Sequence, residues 1–156
     1  MVFFIYMADY TGQDLQGENF IHWNFYLANF TRANLTKAYL THAELVSANF
    51  TSATLTQTHC WLTNFTGAVF NEANLNYAHL HNANFTSAKL NYASLYYADL
   101  QYANLTNAVL TNANLEGANL TGVNLTGVKS GGIIGTPKAL PPGYKITNGY
   151  LIGPGV

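Results

Sequence analysis

Charge is scarce in this sequence: 8% of the residues are Asp, Glu, Lys or Arg, six basic against seven acidic, for a net charge of −1. A nucleic-acid binder neutralises phosphates with a clustered basic patch, so no nucleic-acid partner is expected. Cysteine is nearly absent. The lone Cys60 leaves no disulfide framework within the chain. It stands where Leu or Phe stands elsewhere, and reads as a small hydrophobe, with a reactive thiol as the alternative. Proline is missing until after Lys129. Long apolar runs are missing too. The opening MVFFIYMADYTG is too short to span a bilayer and has no basic stretch before it, so no membrane association is expected and the location is read as cytoplasmic. No phosphate loop, nucleophile elbow, paired cysteines or HExxH is present. The carboxylates Asp14, Glu18, Glu44, Glu72, Asp99 and Glu116 are spread rather than paired. Neither an enzyme nor a bound cofactor is expected.

What is present is a period of five. Every fifth position from 15 to 125 is Leu or Phe, Cys60 excepted, through 23 consecutive pentads without a slip of frame. Two residues earlier Ala is the usual occupant, as in Ala33-Asn34-Leu35 and Ala113-Asn114-Leu115. A helix would repeat near 3.6 and a strand at 2. Residues two apart on an extended segment point the same way, but the three-residue step to the next Ala would flip it outward. The chain therefore has to bend after each large apolar residue. Thr-Gly, Thr-Ser or Thr-Asn commonly follows there, and such pairs suit a turn. Bends repeated in one sense wind the chain into a polygonal coil, with Ala and Leu or Phe inside. Coils stacked at about 4.8 Å bury what a single pentad cannot, which is the logic of a solenoid.

The histidines bear on the number of sides. His22, His42, His59, His79 and His81 lie in the pentads centred on 20, 40, 60 and 80, a spacing that suits four sides and 20 residues per coil. Five to six coils would stand about 28 Å tall. Residues 13–128 form the array. Residues 1–12 read as an N-terminal cap, with Phe3, Phe4, Ile5 and Tyr10 over Phe20, Phe25 and Phe30, or alternatively as a sticky end that pairs two copies end to end. Residues 129–156 hold all four prolines and a cluster of glycines, and read as turns with one short hairpin. Asn24, Asn64, Asn84, Asn104 and Asn124 share one phase and are expected to stack as an amide ladder. A by-product is eight Asn-x-Thr sequons; glycans on adjacent rungs would crowd, so a glycosylating route is not expected. Leu75→Asp should destroy the fold, whereas Thr86→Asp on the outside should hardly matter.

The run A-N-L-T-x, in frame over about three quarters of the chain, resembles the pentapeptide-repeat family. The resemblance implies an all-β fold, a right-handed quadrilateral β-helix. The tail resembles segments that follow or interrupt repeats in some bacterial, notably cyanobacterial, members, so it either caps the coil or interrupts a longer array. Certain members mimic DNA and modulate DNA gyrase. A mimic about 28 Å long would need on the order of 16 negative charges, and residues 13–127 offer six acidic and three basic side chains. The expected function is a non-catalytic structural or protein-interaction scaffold with a protein partner, and the gyrase reading is disfavoured by low acidity. A metal- or glycan-binding face is the other alternative. The candidate surface comprises Tyr39, His42, His59, Trp61, His79, His81, Tyr77, Tyr97 and Tyr102. Trp and Tyr are the usual anchors of protein contacts, and His59, His79 and His81 are metal-ligand types.

Overall fold

In the computed structural model, residues 7–156 are described; Phe3, Phe4 and Ile5 of the expected cap lie outside them. The chain winds as a parallel β-helix. Residue i pairs in parallel with i + 20, from Asp9↔Asn29 to Asn119↔Ala139, and each 20-residue coil has four turns. The rungs are short: Leu40 N–H donates to the His59 carbonyl at 2.7 Å, and His59 N–H to that of Ala38 at 2.9 Å. Every large residue of the frame from Leu15 to Leu125 is buried, as is each Ala at the inward position from Ala28 to Ala118.

The corners show why five residues suffice. The N–H of each inward Ala closes onto the carbonyl of the preceding large residue, as in Ala43 to Leu40 at 2.9 Å. The residue before that Ala has positive φ, for example His42 at 58° and Tyr77 at 58°, the pattern of a type II turn. A non-glycine residue there costs about 1 kcal/mol, and most corners carry one. The ladder and the apolar lining offset it. The stacking continues inside: Phe30, Phe50 and Phe70 lie parallel at 4.9 and 4.8 Å.

The amide ladder takes a different form from the one expected. Asn24, Asn64, Asn84, Asn104 and Asn124 each fold Oδ1 over their own corner. Asn84 Oδ1 accepts the Thr86 N–H at 3.1 Å and its hydroxyl at 2.6 Å. With the oxygen so occupied, the amide nitrogen reaches the threonine of the coil before: Asn84 Nδ2 donates to Thr66 Oγ1 and Asn104 Nδ2 to Thr86 Oγ1, each at 3.0 Å. The direct amide contact between Asn84 and Asn64 is long, 3.5 Å. The ladder alternates Asn and Thr, and Thr86 is a working part of it rather than an idle outward residue.

Both ends of the paired ladder pass the limits 13 and 128 set by the pentad pattern. Tyr10 fills the first slot of the phenyl column, 4.8 Å from Phe30 and edge-on to Phe25, and Lys129, Ile134 and Ala139 still pair with the coil before. Beyond them the tail makes the short hairpin, β1 (Lys145–Thr147) and β2 (Tyr150–Ile152). Asn148 and Gly149 join the strands, both at positive φ, as a type I′ turn requires. The hairpin buries Leu151 and returns to the last coil. Ile133 N–H donates to the Gly149 carbonyl at 2.9 Å, Gly127 N–H to that of Gly155 at 2.6 Å, and Leu151 N–H to Ser130 Oγ at 2.9 Å.

Candidate functional site

One side of the column gathers exposed Tyr39, Trp61, Tyr77 and Tyr97 with His59 and His79. Its centre line is the outward residue of four successive rungs, Tyr39, His59, His79 and Asp99, which the backbone pairs in that order. Parallel pairing at one-coil intervals sets side chains of equal phase face to face. Tyr39 stacks on His59 at 4.7 Å and 6°, and His59 on His79 at 4.9 Å and 18°. Burial among these rings, with the His79 charge added, lowers the His59 pKa below its ordinary value.

Two grooves flank this line. The first, about 520 Å³, is lined by Lys37, Tyr39, Gln57, His59, Tyr77, His79, Tyr97 and Asp99. Its far wall is the corner column, where Tyr77 and Tyr97 stack at 5.9 Å. Tyr96 packs edge-on to both, and Tyr77 is the largest influence raising its phenol pKa. Tyr97 leans over the next coil, so that a Cβ at Gly117 would sit 2.7 Å from its ring. The second groove, about 440 Å³, is lined by Trp61, Leu62, His79, His81, Asn82 and Asp99. Trp61 meets His59 edge-on at 6.4 Å. His81 Nδ1 lies 3.5 Å from an Asp99 carboxylate oxygen, and Gln101 Nε2 donates to the same carboxylate at 3.0 and 3.2 Å.

The structure thus gathers Tyr39, His59, Trp61, His79, His81, Tyr77 and Tyr97 around two grooves. It does not gather the other two candidates. His42 stacks on His22 at 4.9 Å and lines neither groove, while Tyr102 reaches the site only through an edge contact with His81 at 5.9 Å. Leu62, Asn82, Lys37 and Gln57 line the grooves and were not singled out by sequence reasoning. Leu62 had a signal in the pattern: an aliphatic residue at a corner otherwise mostly polar, glycine or tyrosine.

Among the described residues no three of His, Cys, Asp and Glu come together as a metal-ligand set. The stacking is the physical reason along the centre line, because rings set face to face send their in-plane lone pairs outward side by side rather than towards one point. The Cys60 thiol is fully buried, and burial pushes its pKa up to about 12 against an opposing hydrogen bond with Thr58. Thr58 and Thr63 replace Ala on either side of it; their hydroxyls donate to the carbonyls of Leu55 at 2.9 Å and Leu40 at 2.6 Å. A slot short of volume is flanked by two residues with more of it.

The sequence model described as pentapeptide repeats, in eight copies, matches residues 24–59, 63–96 and 88–127, the same stretch that winds into the coil. The chain belongs to the pentapeptide-repeat family. Among solved structures, this pentapeptide-repeat chain is similar to trypsin-treated QnrB1, a plasmid-mediated fluoroquinolone resistance protein. The TM-score is 0.59 at 23% identity, covering 86% of this chain and 69% of that one; at that identity the likeness is one of fold. It also matches Rfr23 from the cyanobacterium Cyanothece 51142, at 29% identity over 82% of this chain and 91% of that one, with a TM-score of 0.32. A third match is HetL from the cyanobacterium Nostoc sp. strain PCC 7120, involved in heterocyst differentiation regulation, at 23% identity over 84% and 88%, with a TM-score of 0.27. Among curated proteins the chain has no significant match. No helix among the described residues is long and apolar enough to cross a membrane.

Proposed function

We propose that this pentapeptide-repeat chain is a non-catalytic scaffold that holds another protein against its histidine and aromatic side, wound right-handed with 1–12 and 129–156 as its two caps. The observation that carries the reading is the pair of grooves along Tyr39, His59 and His79, walled by half-exposed Trp61, Tyr77 and Tyr97. These rings stand on backbone locked by the rungs, so the surface is pre-formed and little ordering entropy opposes docking. Exposed Trp and Tyr on a rigid support are the side chains from which interface hot spots are built. A pull-down from the source organism, comparing wild type with a Tyr39/Trp61/His79 triple alanine variant, tests it. Loss of the bound protein in the variant is expected; retention would count against the face.

Gyrase modulation, which the family resemblance implies for certain members, is kept as a second reading. The sparse charge weighs against it, because seven acidic side chains in the whole chain fall short of what a DNA mimic needs. A supercoiling assay with no effect at micromolar protein would retire it. A metal face has less support, since the stacked imidazoles do not converge. An end-to-end homodimer has less as well. Gln13 and Glu18 stand exposed at inward positions of the first coil, where polar side chains blunt an edge.

A further inference from the structure

Trp61 and Leu62 are consecutive, and 51% and 53% of their surfaces face water. Neither exposure serves the core. Leu62 also has φ of 56°, a conformation that an L residue other than glycine adopts at a cost, with its side chain outside. The groove they border is of a size that admits one or two large side chains. Its polar wall is Asp99. The carboxylate is held by Gln101 and the His81 imidazole, but no Lys or Arg lines this groove; Lys37 lines the other. The groove therefore offers apolar surface beside a carboxylate that pairs with no Lys or Arg among the described residues.

Resting on the protein-interaction reading above, we infer that this groove is the point of recognition on the face, and that it takes a partner segment bearing an apolar or aromatic side chain next to a Lys or Arg. The apolar side chain covers Trp61 and Leu62. The cation meets Asp99 and the face of the exposed indole, which attracts cations. An acidic segment would be repelled by Asp99. The faces along Tyr39, His59 and His79 are turned onto one another, and a sugar stacked on the Trp61 indole alone would leave the Asp99 charge unmatched. A second copy docked by the same groove is a poor fit, because it would bring another Asp99 and no Lys or Arg lines that groove to meet it.

A random peptide library panned on the full chain at neutral pH, followed by affinity measurement on the enriched peptides, tests the assignment. Enriched sequences should join Trp, Phe or Leu to Arg or Lys. Trp61→Ala should weaken them about 30-fold, Asp99→Asn roughly fivefold, and Tyr77→Ala less than about twofold. Peptides without a basic residue, or peptides that ignore Trp61→Ala but are lost with Tyr77→Ala, would overturn the groove and leave the interaction face standing. Binding insensitive to every one of these substitutions, or no enrichment at all, would overturn both.

Discussion

Two neighbouring sides of the same column use their outward positions differently. On one, Asn64, Asn84 and Asn104 follow each other up the coil, each accepting the N–H and hydroxyl of its own corner threonine. On the other, the matching positions are His59, His79 and Asp99, with Trp61, Leu62, Tyr77 and Tyr97 at the corners beside them. The two imidazoles make no side-chain bond to their corners of the kind that Asn makes. Both sides close the same turns and bury the same lining. Asp99 keeps such a bond, from the Gln101 N–H at 3.3 Å; the corner network is thus helpful to the coil and not required at every rung, and the imidazole rungs that forgo it are free to carry something else. That contrast is the physical ground for reading one side as structural and the other as a contact surface.

The comparison is most easily broken from the inside. Leu75 is fully buried, and a carboxylate in its place has no partner, so Leu75→Asp should remove the cooperative unfolding transition, a loss above about 4 kcal/mol. Retention of a sharp melt would contradict the inward assignment on every side. Next in size is the Asn side. Asn84→Ala leaves the Thr86 N–H and hydroxyl without their acceptor and should cost about 1–2 kcal/mol in denaturant titration. Thr86→Asp should cost about 1 kcal/mol for the same reason; no loss from either would mean that the corner bonds are ornamental. Smaller still is a titration effect on the aromatic side. With its pKa below the ordinary imidazole value of about 6.5, folded His59 resists the proton that the unfolded chain accepts. Its contribution to stability is therefore full above that value and declines as pH falls through it. His59→Gln should flatten this part of the stability–pH curve, and an unchanged slope would assign it to another group. Least perturbing of all is a probe of Cys60. With the thiol buried and its pKa pushed up to about 12, a thiol reagent should label it only as fast as the chain opens; rapid labelling of the native protein would show access that the core does not provide.

How far the sequence speaks differs between these sides as well. The frame of five, the bend after each large residue and the buried or exposed fate of each position follow from spacing, because sterics allow few ways to keep Ala and Leu inside with that period. Spacing also set Tyr39, His59 and His79 in one line. It did not show that Asn Oδ1 would turn back onto Thr, since a local bond to the corner and a ladder along the column compete for one oxygen, and the nearer partner prevails. Nor did it show Leu62 and Trp61 sharing a groove with Asp99, which depends on how side chains lean across adjacent columns. The coupling of Cys60 to Thr58 and Thr63 escaped for a related reason: two hydroxyls at Ala positions read as exceptions until their carbonyl partners are known.

The aromatic side groups are expected to be dispensable to the fold, and the Asn corner bonds to contribute measurably to its stability. Chemical denaturation of two triple variants, Tyr39/Trp61/His79 to Ala and Asn64/Asn84/Asn104 to Ala, measures both directly. The account predicts that the aromatic triple stays within about 1 kcal/mol of wild type, while the Asn triple falls by roughly 3 kcal/mol or more. An aromatic triple that loses as much as the Asn triple would contradict it.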